Sequence, residues 1–391
     1  MKKIYLDSAA STIIDERVIE AMIQSMKEDF GNPSAIHSFG QESKSKIEMV
    51  RKNIAQWLHV NPNEIIFTSC GTESNNLIIR SCIENLHIKR IITSPLEHKS
   101  VLETTRDLKE KFPEIEIVFL PLKNKKGDLD ISFLENLLEE KIPTLVSLMH
   151  SNNEIGNLTD IDSIAHLCKK YGALFHSDTV QTMAHYPLDF SKTPIDFASC
   201  SAHKFHGPKG IGMAFIRKST GLKGIITGGT QERNLRAGTE NVHGIVGLGK
   251  SFDFAMKELD ERRKIIEDLK QYTIEHLSKN ITGVLFNGYG TDFNKSNYTL
   301  LSILLPFPNT LIGFQLDMKG IAVSQGSACA SGASKPSKTM LQLYNDQELK
   351  NTTTLRISFS HYNTKTEIDI LINFLSEIQK NFANTNPAES D

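Results

Sequence analysis

Apolar and polar positions along this chain repeat first at helical spacing and then in short runs. Val18, Ala21, Met22, Ser25 and Met26 predict a helix from a cap at Asp15 to about Asp29. Ile47, Val50, Ile54 and Leu58 predict a second, from about Gln41 to Leu58. Gly31-Asn32-Pro33-Ser34 breaks the first and Asn61-Pro62-Asn63 ends the second. Apolar runs then predict strands at Glu64–Thr68, Arg90–Ser94, Glu116–Leu120, Thr144–Met149 and Ala173–His176. Two more flank a polar turn, one ending at Ile195–Ala198 and one at Gly212–Ile216. Helical patterns follow the Ser69–Ser74 turn and cover Asp128–Leu138 and Asp160–Tyr171, the last closed by Gly172. One long helix is expected from about Val242 to Lys279, with a charged, solvated middle. Beyond it lie expected strands at Val284–Asn287, Thr299–Leu304 and Leu355–Phe359. Helices are expected near Leu311–Lys319 and Thr366–Asn381, and a disordered tail over Ala383–Asp391.

Strands alternating with helices across short turns imply an α/β fold with a mostly parallel sheet covered on both faces. Such sheets bind ligands beyond the carboxyl ends of their strands. His98, Asn153, Asp178 and Lys204 each fall just past a predicted strand end. Lys204 stands in Ser201-Ala202-His203-Lys204, with Gly207 and Gly210 behind it. A lysine amine condenses with an aldehyde cofactor, pyridoxal phosphate above all, and neighbouring Ser201 and His203 are candidate phosphate donors. Taken singly, each residue has a plainer reading: a solvated lysine, an aspartate capping a turn, a satisfied histidine.

Composition narrows the function classes. The 391 residues carry a net charge of −2, with 39% hydrophobic and 23% charged positions. That balance gives no electrostatic case for nucleic acid or an anionic membrane surface. No apolar run approaches a membrane span, and Asp7, Ser8 and Asp15 interrupt any signal-peptide core, so a cytoplasmic enzyme is expected. The five cysteines form no Cys-x-x-Cys pair, so neither a metal site nor a disulfide framework is expected. Cys82, Cys168 and Cys200 read as core. Cys329 differs: Ser324 to Ser334 is a run of Gly, Ser and Ala with few apolar anchors, where a cysteine is more often exposed and reactive.

The ordered motifs resemble a known family. They are Tyr5-Leu6-Asp7-Ser8-Ala9-Ala10, Gly31-Asn32-Pro33-Ser34, Thr68-Ser69-Cys70-Gly71-Thr72-Glu73-Ser74, Glu97-His98 and Asn152-Asn153-Glu154-Ile155-Gly156. They continue through His176-Ser177-Asp178-Thr179-Val180-Gln181, Ser201-Ala202-His203-Lys204, Arg236-Ala237-Gly238-Thr239, Gly326-Ser327-Ala328-Cys329 and Arg356-Ile357-Ser358. In that order they are similar to cysteine desulfurases of the NifS/IscS class, pyridoxal 5'-phosphate enzymes of fold type I related to class V aminotransferases. The resemblance implies a large domain over residues 14–257, its parallel sheet sandwiched by helices. It implies a smaller α+β domain from residues 1–13 and 258–391, carrying a mobile cysteine loop at about 324–337.

It also implies roles. Lys204 would bond the cofactor and move a proton, Asp178 would face the pyridine nitrogen, Gln181 the ring hydroxyl, and His98 the ring face. Gly71, Thr72, Ser201 and His203 would hold the phosphate, with Thr239 reaching in from a partner subunit of a homodimer. Asn153 and Arg356 would take the substrate carboxylate. Cys329 would carry sulfur from L-cysteine as a persulfide, leaving L-alanine, to an acceptor such as an iron–sulfur scaffold. Iron–sulfur cluster assembly and tRNA thiolation are both open destinations. A selenocysteine lyase, another fold type I activity or a sulfur-protein scaffold are the alternatives. The chain departs from the family pattern at Cys70, where glycine is usual, and at Ser360 and His361, where a glycine and a basic residue are usual.

Overall fold

In a computed structural model of the protein, residues 3–325 and 336–385 are described. Cys329 and most of its expected loop lie outside the described residues, as does the end of the tail.

The chain runs β1 (Ile4–Tyr5), α1 (Glu16–Glu28), α2 (Ser38–Trp57), β2 (Ile65–Thr68), α3 (Gly71–Leu86), β3 (Arg90–Thr93), α4 (Lys99–Lys111) and β4 (Glu116–Phe119). It continues through α5 (Ile131–Glu139), β5 (Thr144–Ser147), α6 (Ile161–Tyr171), β6 (Leu174–Asp178), β7 (Phe197–Ser201), β8 (Gly212–Ile216), α7 (Val242–Lys257) and α8 (Leu259–Asn280). The last part is β9 (Leu285–Phe286), β10 (Leu300–Leu305), α9 (Ile312–Met318), β11 (Ile321–Ala322), α10 (Lys338–Leu343), α11 (Asp346–Lys350), β12 (Thr353–Ser358) and α12 (Lys365–Thr385).

Seven strands form one sheet in the order β2-β8-β7-β6-β5-β3-β4. Only β8 runs against the rest, since it pairs antiparallel with both β2 and β7 while the other pairs are parallel. The crossovers leave apolar clusters on both faces. One joins Ile54, Ile92, Val146, Phe175 and Phe215 to α2, α5, α6 and α7, and the other joins Ile66, Ile91 and Leu145 to α3 and α4. Cys82, Cys168 and Cys200 are buried in these layers, and burial pushes each thiol upward. A second, antiparallel sheet β12-β10-β9 packs against α8 and α12 through a separate cluster that includes Ile303, Leu355 and Leu371. β1 pairs parallel with β11, so the start of the chain joins this second unit. Among the described residues, no helix is long and apolar enough to cross a membrane.

Four expectations are corrected. The single helix over 242–279 is two, α7 and α8, broken at Glu258 with φ −102° and ψ 14°. No proline or glycine causes this break; the Glu258 carboxylate is drawn toward Arg17 and Arg262, each at 2.6 Å. α2 begins at Ser38, three residues early, because the His37 side chain accepts the Gly40 N–H as a cap. α4 forms where no helix was assigned, burying Val101, Thr104, Thr105 and Leu108. α12 continues to Thr385, beyond the expected end near Asn381.

Candidate active site

The seven-stranded sheet delivers its polar residues to one edge. Asp178 is the last residue of β6. Lys204 lies in a short 3-10 turn directly after β7. His98 caps α4, after β3 and its turn, and Asn153 lies in the loop after β5. Gly71 and Thr72 open α3 just after β2. From the second unit, β12 contributes Arg356. Gly71, Thr72, His98, Asn153, Asp178, Gln181, Ser201, His203, Lys204 and Arg356 all line one cavity of about 320 Å³. Thr239 does not line it; it is exposed in the loop before α7.

The Lys204 Nζ donates to the carbonyls of Ala9 and Ala10, at 2.6 and 2.9 Å. Burial, with the Arg356 charge nearby, lowers its pKa to about 8. A substantial share of its amine is therefore neutral and nucleophilic near physiological pH. Asp178 is held from two sides: Oδ1 accepts the Val180 N–H at 3.0 Å and Oδ2 accepts the Asn75 amide at 2.8 Å. Asn75 also donates to Ser100, and the Ser199 hydroxyl donates to its oxygen. The His98 Nδ1 accepts the Ser100 N–H at 3.1 Å, which fixes the ring at the helix start. The Gln181 amide donates to the Ala9 carbonyl at 3.0 Å.

Arg356 spans the two units. Nη1 donates to the Asn153 carbonyl at 2.7 Å, and Nη2 donates to Asp7 and Ser324, each at 2.8 Å. Its Nε is buried without a partner. A buried guanidinium N–H left open beside a cavity is suited to a ligand carboxylate. Glu97, beside His98, accepts the Met149 N–H at 2.8 Å, and burial raises its carboxyl well above the usual range, with the Asp178 charge adding to the effect. Its hydrogen bond to Met149 ties the His98 turn to the segment that leads into the loop of Asn153.

The residues fit pyridoxal 5'-phosphate. The Ser201 hydroxyl is buried with no partner, and the first turn of α3 has no side-chain cap, since Cys70 makes none. Open N–H groups at a helix start and an orphan hydroxyl in one cavity make a phosphate cradle. At Gly71 a Cβ would meet the Val180 side chain at 2.5 Å, so any other residue would have to displace Val180 from the cavity wall. Burial and the Lys204 charge lower His203 to about 4, so it is a neutral donor at physiological pH.

Two departures are accommodated. Cys70 has φ −176°, extended backbone open to any residue, and it lines the cavity beside Gly71. Ser360 accepts the Tyr362 N–H on its hydroxyl, and the His361 ring lies 4.8 Å from that of His206. Sequence reading missed Asn75 and Ser100 and gave Glu97, in the Glu97-His98 motif, no role of its own. Asn75 left a trace, being an amide on the face that Ile79 and Cys82 continue at helical spacing.

Residues 4–371 match the aminotransferase class-V family, and the chain belongs to that family. Its members work with pyridoxal 5'-phosphate. The chain is 38% identical to the cysteine desulfurase IscS of Dictyoglomus turgidum, over 100% of this chain and 98% of that one. The fold is similar to that of a NifS-like protein, with a TM-score of 0.87 and 34% identity over 97% of this chain and 100% of that one. It is also similar to the apo cysteine desulfurase from Thermococcus onnurineus NA1, with a TM-score of 0.84 and 26% identity over 97% and 95% of the two chains.

Proposed function

We infer that this chain is a pyridoxal-phosphate-dependent cysteine desulfurase that converts L-cysteine to L-alanine and takes the sulfur onto Cys329 as a persulfide. The observation that carries the reading is the convergence of an amine of lowered pKa, a pinned carboxylate and an open guanidinium on one cavity. The bound cofactor supplies an aldehyde for amines and a ring that draws electrons from the substrate Cα. Lys204 would hold the cofactor, and its Nζ, once freed by the substrate amine, would take and return the proton at Cα. Asp178, oriented by Asn75 and Val180, would face the ring nitrogen and favour its protonated form. Gln181 would take the ring hydroxyl, and His98 would lie against the ring and serve proton transfer. Gly71, Thr72, Ser201 and His203 hold the phosphate. Arg356 and Asn153 fix the substrate carboxylate, which leaves the thiol free for attack by the Cys329 thiolate.

The working unit is a homodimer, with Thr239 of one copy completing the phosphate site of the other. Exposed apolar residues around the α1–α2 connection support this: Met26 on α1, Phe30 and Ile36 in the loop and Phe39 on α2 are exposed, Ile36 to 96%, and the Phe30 and Phe39 rings lie 5.1 Å apart. Exposed apolar groups of this kind mark interaction surfaces. Residues 14–257 form the cofactor domain, and 1–13 with 258–391 the smaller one, divided at the Glu258 break. The enzyme works in the cytoplasm and passes its sulfur to an acceptor protein, such as an iron–sulfur scaffold.

Borohydride reduction of the loaded protein tests the site. The label is expected on Lys204 alone, and a label on another lysine would overturn the assignment.

A further inference from the structure

β2 is an outer strand of the seven-stranded sheet, so one row of its backbone groups has no neighbouring strand. Exposed edges of this kind invite pairing with other chains, and proteins block them. Two side chains close this one. Glu232 accepts the Phe67 N–H at 2.7 Å, and Arg51 of α2 donates to the Ile65 carbonyl. The two also pair with each other through contacts of 2.8 Å, and both side chains are 2% exposed. The guanidinium lies 4.7 Å from the centre of the Phe67 ring. A carboxylate and a guanidinium thus stand in for the missing strand.

That carboxylate comes from a turn the backbone disfavours. Glu232, Arg233 and Asn234 have φ of +44°, +61° and +65°, three successive non-glycine residues in the left-handed region. Left-handed backbone is disfavoured for residues with a side chain, and a run of it persists only where its surroundings over-determine it. Here α2 supplies two holds, the Arg51–Glu232 pair and an Arg233–Glu48 contact at 2.8 Å. Past the turn, Arg236 donates to Glu73 at 2.8 Å, and Thr239 stands exposed three residues on. A buried ion pair is poorly explained by stability alone, since apolar replacements of such pairs are often as stable. What this pair does is orient a strained loop.

We propose that Arg51 and Glu232 are positioning residues for the cofactor phosphate: by closing the edge of β2 they lock the Glu232–Asn234 turn and fix where Thr239 is presented to a second copy of the chain. This rests on the dimer and Thr239 reading given above. The test uses the double variant Arg51→Met/Glu232→Gln, which removes both charges together and leaves an amide for the Phe67 N–H. The holoenzyme is diluted and its loss of pyridoxal 5'-phosphate followed by absorbance. The same protein loaded with pyridoxal, which lacks the phosphate, is followed in parallel. Loss of one phosphate hydrogen bond predicts that pyridoxal 5'-phosphate leaves about tenfold faster while pyridoxal is unaffected. A wild-type rate for pyridoxal 5'-phosphate in the folded double variant overturns the proposal, and so do equal changes for both compounds. Thr239→Val separates the two readings. If it weakens phosphate-dependent retention and the double variant does not, only the positioning claim falls. If Thr239→Val itself retains the cofactor normally, the Thr239 reading falls and takes the proposal with it. Should the double variant not fold, hydrogen exchange on the native holoenzyme decides. The amides of Leu235 and Ala237, which donate to the Glu232 and Ile226 carbonyls, are expected to be protected like Phe67, and exchange as fast as open chain at both overturns the proposal.

Discussion

At the scale of single residues, the chemistry rests on where burial places charge. Lys204 is half-buried near Arg356, and desolvation together with that charge lowers its amine to about 8. The neutral amine is the form that reacts with an aldehyde. The rate at which stripped protein reloads pyridoxal 5'-phosphate is therefore expected to rise with pH through about 8 and then level off, as read by absorbance in a stopped-flow series. A rate still climbing steadily past pH 10 would mean an ordinary, solvated lysine. Lys204, Asp178 and His98 were legible in the sequence because each is polar and follows an apolar run at a strand end. Asn75, Ser100 and Glu97 were not, because what they do depends on partners distant in the chain: Asn75 meets Asp178, and Glu97 meets Met149. Cys329 is singled out by its small-residue surroundings in the sequence and lies outside the described residues.

At the scale of elements, the start of α3 is the clearest functional design. It is a helix of 16 residues whose first turn lacks a side-chain cap, facing an orphan Ser201 hydroxyl. Inorganic phosphate is expected to bind this cradle in stripped protein and raise its melting temperature, since a ligand of the folded state stabilises by mass action. Thr72→Val and Ser201→Ala are each expected to reduce that rise. A melting temperature unmoved by phosphate would remove the cradle. Periodicity predicted most helices and strands to within a few residues, because their apolar faces meet the sheet. It failed where tertiary contacts decide. The α7–α8 break at Glu258 carries neither glycine nor proline, and the Glu258 carboxylate there meets Arg17 of α1, a contact far away in the chain; the apolar stripe of α4 is diluted by Thr104 and Thr105. The Glu232–Asn234 turn gives no sequence signal, since left-handed backbone normally announces itself by glycine.

For the whole molecule, pH acts through buried histidines. His150, His176 and His185 are held down to about 4 by burial, so they stay neutral in the fold. An unfolded chain protonates its histidines near pH 6.5. Between about pH 6.5 and 4 the unfolded state therefore binds protons that the folded state does not. Stability falls as pH falls through that window, by up to about 1.4 kcal/mol per pH unit for each histidine. Asp15 and Glu258, lowered to about 2 chiefly by the hydrogen bonds from Arg17, act in the same direction but only below about pH 4. Melting temperatures measured from pH 8 to 4 are expected to drop steeply below 6.5, and less steeply in His176→Asn. A flat profile down to pH 5 would show that these rings are charged or solvated in the fold.

Sulfur transfer is the act that the whole arrangement serves, and one measurement addresses it most directly. Loaded protein is mixed with L-cysteine and no acceptor, then analysed for alanine and for the mass of the peptide carrying Cys329. The native chain is expected to release alanine and to gain one sulfur atom on Cys329, while Cys329→Ser keeps its cofactor absorbance, releases no alanine and gains nothing. Alanine formed by Cys329→Ser at the native rate, with no sulfur on the native Cys329 peptide, would contradict the desulfurase assignment.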